Sequence, residues 1–506
     1  MRKTLLALCF LLPAKPAVSQ PEVIYHVFQR SFFDSNGDGN GDLTGIKQKL
    51  DYLQDLGVTS ILLTPLYLSD FYHNYFANDF EKIDPAYGSL DDYLALVREV
   101  HRRKMKIYQD VEMQYVTGKH KWFLDSYKNP SSPYSKYLLY NDTRNESPYW
   151  FFGIPEFTTY DQSKEQIIVV NMKEEAVRDY TRKVLGYWID PNGDGKFDDG
   201  VDGFRLDHAM DDLDNAGKLT NLFAGFWAPL LQSLRGKNPA ISIVAEQADW
   251  GSFGMEYLTK AKVDRVFAFR LKHAIESFDK SKIMKAADSC FLHQSAQVVF
   301  IENHDTRRFA TAVAHDPGKL RAGAAMNILL GGIPSLYYGQ ELGMSGTQLK
   351  GMTDGNDIPI REAFEWYRSA SGPGMAFWYK NTGTWWDSSQ VKPNDGISLE
   401  EQQSDKTSLF NYYKELIRLR KDNPALSEGQ YRPVINKNAN VLSFTRISGK
   451  QKLLVLINLS AASQTTSVDI KEKIKVTKIA GTSSFQQKPS GLDLDIQPYG
   501  YLIFQY

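Results

Sequence analysis

Three acidic side chains end strand-like runs of this sequence, and their types and spacing suit acid–base chemistry. Asp207 closes GFRLD, Glu246 closes SIVAE, and Asp305 closes VVFIENHD. Arg205 stands two positions before Asp207, so alternation along a strand places both side chains on the same side. A neighbouring guanidinium keeps a carboxylate ionised, as a nucleophile requires, whereas Glu246 follows apolar residues and has no cation beside it in the sequence. The two acids are therefore expected to differ in ionisation.

Strand-like and helix-like runs alternate over most of the chain, and this alternation predicts how the acids are positioned. Eight strands occur between Val23 and Glu341, which indicates parallel βα units that close into a barrel. The predicted fold is α/β, a (β/α)8 TIM barrel over residues 20–112 and 169–422. Because the carboxyl ends of such strands converge on one face, acids far apart in sequence are expected to meet there.

Two segments depart from the alternation. Residues 113–168 are rich in Tyr, Asn, Ser and Pro and lack a strong period, so they are predicted to form an insertion domain after strand 3. Residues 423–506 change to short alternating runs separated by Gly, Asn and Ser, which predicts a C-terminal antiparallel β-sandwich. The loop 342–401 has a shape that periodicity does not predict.

The amino terminus has the pattern of a secretory signal peptide over residues 1–19. Arg2 and Lys3 precede an apolar run at 5–12, and small residues typical of a signal-peptide cleavage site end at Ser19. The run is short for a membrane span, although a retained anchor is the alternative. No later apolar stretch is long enough to cross a bilayer. The mature chain is therefore expected to be exported, to the periplasm or the extracellular space, without a membrane span.

Composition excludes some partners. Of the 506 residues, 42% are hydrophobic and 24% charged, as in ordinary globular proteins, and the formal net charge of −1 argues against nucleic acid. Cys290 is the single cysteine left after removal of 1–19, so no internal disulfide is expected. Stabilisation must then come from the core or from bound metal.

An Asp/Asn/Gly loop near the amino terminus places oxygen ligands at alternate positions, which predicts a Ca²⁺ site at 34–42. The predicted ligands are Asp34, Asn36, Asp38, Asn40 and Asp42. It is not an EF-hand, because Gly45 stands where a bidentate glutamate would close the site. A solvated turn is the alternative. A second loop, 190–198, repeats the pattern, and a cation site and a plain loop are equally compatible with it.

On its motifs, the chain resembles the α-amylase superfamily of glycoside hydrolases. The matching segments are HNYFANDF (73–80), GFRLD (203–207), AEQADW (245–250), ENHDTRR (302–308) and GGIPSLYYGQELGM (331–344). The resemblance implies the barrel, the insertion after strand 3 and the C-terminal sandwich. It also implies retaining cleavage of α-glucosidic bonds, with α-1,4 bonds of starch-like glucans or maltooligosaccharides as the expected substrate.

The same resemblance implies a role for each residue that matches a motif. Asp207 would be the nucleophile of a covalent glycosyl intermediate, Glu246 the general acid/base, and Asp305 the acid that binds ring hydroxyls and favours the distorted transition state. Arg205 would keep Asp207 charged. The substrate-binding residues would be His304, which bonds the same hydroxyls, Tyr75, which stacks under the sugar, and His73 in the same motif as Tyr75.

The third strand departs from the family pattern. It reads Asp110-Val-Glu-Met, and Gln114-Tyr115 stands where the family has Asn-His. The segment from His120 keeps its usual offset, so this is a substitution and not a shifted alignment. Tyr115 is expected to supply a hydroxyl to the substrate in place of the histidine. His208 directly follows the nucleophile, and in an extended strand it should point away from the site.

Two other functions are also compatible with the sequence. A transglycosylase or isomerase on the same scaffold would differ in how well water is excluded from the second step. A sugar-binding protein without catalysis is the rival from another class, and Gln114 and Tyr115 are its best support. Linkage, endo or exo action, the bound cation and the oligomeric state are not determined by the sequence.

Overall fold

The computed structural model describes residues 21–291, 296–351, 353–469, 477–481, 484–488 and 491–506. The predicted signal peptide, 1–19, lies outside these ranges. Within them, no helix combines the length and the apolar character that crossing a membrane requires.

Eight parallel strands form the closed barrel, which confirms the predicted fold class. They are β1 (Ile24–Val27), β2 (Ser60–Leu63), β3 (Lys106–Val111), β4 (Gly203–Ala209), β5 (Ser242–Gln247), β6 (Arg265–Phe267), β7 (Gln297–Val299) and β8 (Ile333–Tyr337). Each strand pairs with the next along the chain, and β1 pairs with β8. Inward side chains such as Leu62, Val244 and Phe267 fill the interior. The barrel is thus a packed core that holds its strand ends at fixed positions.

Gly203 shows why β4 can lie so close to both neighbouring strands. A β-carbon there would come within 2.3 Å of the Ser242 carbonyl oxygen on β5 and 2.4 Å of the Tyr108 ring on β3. Only glycine permits this approach at the start of the strand that carries Asp207. Substitution at this position is therefore expected to displace the strand.

The helices lie between the barrel strands, in the insertion and in the segment after β8, and all of them precede the first strand of the C-terminal sheets. They are α1 (Leu43–Gln48), α2 (Leu50–Leu56), α3 (Leu90–Arg102), α4 (Lys121–Ser126), α5 (Glu175–Ile189), α6 (Ala228–Lys237), α7 (Phe269–Glu276), α8 (Lys280–Cys290), α9 (Phe309–Ala312), α10 (Pro317–Leu329), α11 (Thr384–Asp387), α12 (Leu399–Gln402), α13 (Leu409–Asp422) and α14 (Pro424–Ser427). Helix α3 shows how the sequence sets such a helix. A Ser89–Asp92 capping box begins it, and Leu96 and Val100 lie on its buried face.

The segment between β3 and β4 forms short antiparallel pairs of its own. Tyr115–Thr117 pairs with Ile167–Val169, and Phe157–Thr158 pairs with Lys164–Glu165. A further pair, Tyr67–Leu68 with Asp79–Ile83, follows β2. Both excursions leave from carboxyl ends of barrel strands, where they build walls around that face.

The C-terminal part consists of antiparallel strands in two sheets. Its strands are β9 (Gln430–Pro433), β10 (Val441–Ser448), β11 (Gln451–Asn458), β12 (Gln464–Asp469), β13 (Thr477–Ala480), β14 (Ser484–Lys488), β15 (Gly491–Ile496) and β16 (Tyr501–Gln505). One sheet has the order β9-β10-β11-β16-β13, and the other β12-β15-β14. Leu454 and Phe504 of the first sheet share a buried cluster with Val468 and Leu494 of the second. The sheets therefore face each other as a sandwich.

Candidate active site

The cavity at the carboxyl ends of the barrel strands contains the three predicted catalytic acids. Asp207 lies in β4, Glu246 in β5, and Asp305 in the loop after β7. All three line one cavity of about 400 Å³. The structure thus brings together three acids from separate βα units, as convergence of the strand ends requires.

Arg205 is the centre of the site's electrostatics. Its side chain is 1% exposed. Nη1 donates to Asp110 at 2.8 Å and also to Asp207, while Nη2 donates to Glu246 at 2.6 Å and lies 4.0 Å from Asp305. One guanidinium therefore holds the carboxyl groups of Asp207 and Glu246 next to each other, and a planar fork with several donors is suited to this task.

The two acids that flank Arg205 have opposite ionisation tendencies. Burial raises the pKa of Asp207, but the charge of Arg205 together with hydrogen bonding from neighbouring acids outweighs burial and leaves that pKa below its ordinary value. Burial also raises the pKa of Glu246, and the charges of Asp207 and Asp305 keep it well above its ordinary value despite Arg205. Asp207 thus tends towards the carboxylate and Glu246 towards the protonated acid, in the direction that a nucleophile and a proton donor require.

Asp305 contacts a histidine ring and a guanidinium. Its Oδ2 lies 2.9 Å from His304 Nε2, and its Oδ1 accepts from Arg361 at 3.1 Å. Although burial acts in the opposite direction, these partners and Arg205 lower the pKa of Asp305. Arg361 also donates to the His304 carbonyl at 2.8 Å, so it positions both residues.

Tyr75 and His73 lie on another side of the cavity. The Tyr75 hydroxyl donates to Asp110 at 2.7 Å and contacts His304 Nε2 at 2.6 Å, and the two rings stack with centroids 5.4 Å apart. His73 Nδ1 accepts from the Tyr75 backbone at 3.1 Å. Both side chains line the cavity, where an aromatic face is available to a sugar.

The substituted end of β3 braces the nucleophile. Gln114 Nε2 donates to the carbonyl oxygens of Asp207 at 2.7 Å and His208 at 3.0 Å. Tyr115 lines the cavity, but its hydroxyl donates to Asp214 at 2.6 Å. What it offers a ligand is mainly its ring, because the hydroxyl proton is already used.

Several residues of the cavity were not found by sequence reasoning. Arg361 comes from the aperiodic loop after β8, and nothing in its spacing pointed to the site. Trp250, inside the AEQADW motif, donates to Glu246 at 3.3 Å and stacks on Phe269. His208 was expected to point away; instead, its φ of +44° turns the chain after Asp207, and its side chain lines the cavity. The strand is not extended there, so alternation fails.

The loop at 34–42 keeps its oxygen ligands close to its own backbone. Asp34 accepts backbone N–H bonds from Gly37 and Gly39 at 2.7 and 2.8 Å. Asp42 caps α1, and Asn40 accepts from Arg30 at 2.7 Å. The donor chemistry suits a hard cation, although the described residues contain no cluster of three or more His, Cys, Asp or Glu arranged to hold a metal. Calcium at this loop stays a prediction.

The second loop, 190–198, has two of its carboxylates paired with lysines. Lys196 pairs with Asp194 at 3.3 Å, and Lys237 with Asp190 at 3.4 Å. These ammonium groups partly neutralise the carboxylates that a metal would need, and a cation site there also remains a prediction.

Comparison with known proteins gives consistent matches along the chain. Residues 26–429 match the family described as "Alpha amylase, catalytic domain", and residues 431–503 match "Maltogenic Amylase, C-terminal domain". Alpha-amylase 3 of Dictyoglomus thermophilum is 29% identical over 89% of this chain and 87% of its own length. Oligo-1,6-glucosidase of Parageobacillus thermoglucosidasius is 26% identical over 87% of this chain and 90% of its own length. The crystal structure of an alpha-amylase from H. orenii superposes with a TM-score of 0.79, at 26% identity, over 96% of this chain and 99% of that one.

Proposed function

This chain belongs to the α-amylase family of glycoside hydrolases, and we propose that it hydrolyses α-glucosidic bonds in starch-like glucans or maltooligosaccharides, with a preference for α-1,4 linkages. We also propose that it acts after export. The similarity to an alpha-amylase supports the substrate class, and the pattern at 1–19 supports export.

The proposed reaction proceeds in two displacements. Asp207 attacks the anomeric carbon while Glu246 gives its proton to the leaving oxygen, so a glycosyl–Asp207 bond forms as the glycosidic bond breaks. Glu246, now ionised, then takes a proton from water, whose oxygen displaces Asp207 and restores both carboxyls. Asp305 and His304 bind ring hydroxyls, and the Tyr75 ring supports the sugar from beneath.

The opposite pKa shifts of Asp207 and Glu246 are the main support for this proposal. Asp207 and Glu246 bind the same buried guanidinium, yet the pKa of one lies below its ordinary value and that of the other well above. Adjacent carboxyls with opposite protonation are what retaining cleavage requires. A sugar-binding protein without catalysis would have no need for this arrangement.

The test measures reducing ends released from maltotriose by the intact protein, Asp207→Asn and Glu246→Gln. Asp207→Asn should be inactive, and Glu246→Gln should lose roughly 10²- to 10⁴-fold in kcat. On an aryl α-glucoside, whose leaving group needs no proton, Glu246→Gln should recover its first step. Asp249→Asn, an exposed carboxyl-to-amide change near Glu246, is the matched control.

The outcomes separate the competing functions. Activity that survives in Asp207→Asn would refute the assigned nucleophile. Isomaltotriose assayed beside maltotriose tests the linkage, because a similar protein is an oligo-1,6-glucosidase. Longer or isomeric products without net release of reducing ends would identify a transglycosylase or isomerase. Binding without turnover of any α-glucan would favour the non-catalytic reading.

A further inference from the structure

A fourth acid, Glu112, contacts the nucleophile from the strand that departs from the family pattern. It directly follows β3, is 1% exposed and lines the same cavity. Its Oε1 accepts from the backbone of Gln114 at 2.5 Å. The paired strands β3 and β4 match Leu206 with Val111, so Glu112 and Asp207 occupy the next position of each strand and lie side by side in the cavity. Two neighbouring carboxyl groups can form a hydrogen bond only if one of them holds a proton.

The distribution of charge decides which carboxyl holds that proton. Arg205 pairs with Asp110, Asp207, Glu246 and Asp305. In the part of the chain that the structure describes, no cation within salt-bridge distance pairs with Glu112. Of the two carboxyls, Glu112 is therefore the one that can hold a proton while Asp207 stays a carboxylate.

The groups that face Glu112 reinforce this assignment. They are Asp207 from β4, Asp110 on its own strand, and the phenols of Tyr67 and Tyr115. Burial first, and then the charge of Asp207, raise the pKa of Glu112 well above its ordinary value, with a smaller contribution from Asp110. The facing acids become more negative as pH rises, so they oppose ionisation of Glu112 further.

We propose that Glu112 is a positioning residue that stays protonated in the working enzyme and donates a hydrogen bond to Asp207, which orients the attacking carboxylate. This role rests on the proposed function and adds a residue to it. Arg205 binds Asp207 from within the barrel core, and Glu112 binds it from the end of β3. Two donors in different directions hold a carboxylate in one rotamer, as near-attack geometry requires.

The pH profile follows from this arrangement. When Glu112 loses its proton, its bond to Asp207 is lost and two like charges come into contact. Glu246 must also be protonated for the first step, so two ionisations contribute to the alkaline limb of kcat/KM. A limb controlled by Glu246 alone would be shallower.

Two substitutions distinguish the hydrogen-bond donor role of Glu112 from its ability to ionise. Glu112→Gln keeps a donor of similar shape that cannot ionise, so kcat should stay within about threefold of wild type and the alkaline limb should become shallower. Glu112→Leu removes the donor, and kcat should fall roughly 10- to 100-fold with little change in KM, as expected for loss of a hydrogen bond to a charged group. Glu365→Gln is the matched control, because Glu365 is buried outside the cavity and burial raises its pKa to about 9.

A readout that does not depend on activity completes the test. Infrared difference spectra of folded wild type and Glu112→Gln at neutral pH should show loss of one protonated carboxyl band, and thermal unfolding checks that each variant is folded. An alkaline limb of Glu112→Gln that superposes on wild type, or a difference spectrum without that band, would overturn the proposal. If Asp207→Asn is inactive while the Glu112 variants behave as wild type, only this inference fails. If Asp207→Asn is active, the proposed function fails instead.

Discussion

Replacing Arg205 by methionine removes the cation that the site's carboxyls share, and its effect can be worked out from the contacts. The guanidinium is buried and donates to Asp110, Asp207 and Glu246. Breaking a buried ion pair by removing one partner costs about 3–5 kcal/mol. At 1.36 kcal/mol per pH unit, that energy corresponds to a rise of about two to four pH units in the pKa of Asp207 if Asp207 takes all of it.

The sign of the effect follows from the role of Asp207. The nucleophile must be ionised, so activity is lost as pH falls through its pKa. Arg205 lowers that pKa against burial, and without it burial prevails. The acid limb of kcat/KM for Arg205→Met should therefore move to higher pH, by at most about two to four units because Asp110 and Glu246 share the loss.

The assay is kcat/KM on maltotriose across pH, with two comparison variants. Arg205→Lys keeps the positive charge but loses the planar guanidinium and its several donors. Its acid limb should therefore stay near that of wild type while kcat falls. Arg420→Met is the buried control, because Arg420 donates to the backbone carbonyls of Ile328, Leu426 and Gly332 and pairs with no carboxylate in the described ranges. It should lower Tm without moving the acid limb. An unmoved acid limb in a folded, active Arg205→Met would refute the reasoning.

Three further predictions concern other parts of the molecule. Arg361→Met removes a charged donor to Asp305 and should lower kcat/KM roughly 10- to 100-fold; a change below twofold in steady-state assays would contradict its assigned role. If calcium binds at 34–42, a hundredfold excess over Kd should stabilise the fold by about 2.7 kcal/mol, so chelation should lower Tm in wild type but not in Asp34→Asn; equal Tm values with and without calcium would exclude the site. Protein recovered from the exported fraction of an expressing bacterium should begin at Gln20, and amino-terminal sequencing that finds Met1 would contradict cleavage after Ser19.

The sequence by itself determined the barrel and the convergence of three acids, because both depend on local patterns. Period-2 strands and 3.6-period helices alternate with little ambiguity, and strand ends in a parallel barrel converge on one face. Asp207, Glu246 and Asp305 each close such a strand or its following turn, so their meeting was predictable. Arg205 was predictable for the same reason, since it shares a strand face with Asp207.

Only the tertiary structure decided which groups surround those acids. Arg361 arrives from an aperiodic loop, Tyr75 contacts His304 across 229 residues, and Glu112 meets Asp207 from a neighbouring strand. Long-range contacts of this kind have no signature in the periodicity of either partner. The positive φ at His208 is equally invisible, because a single turned residue breaks the alternation on which strand predictions rest. The sequence thus identified the acids, and the packing of distant segments shifted their pKa values in opposite directions.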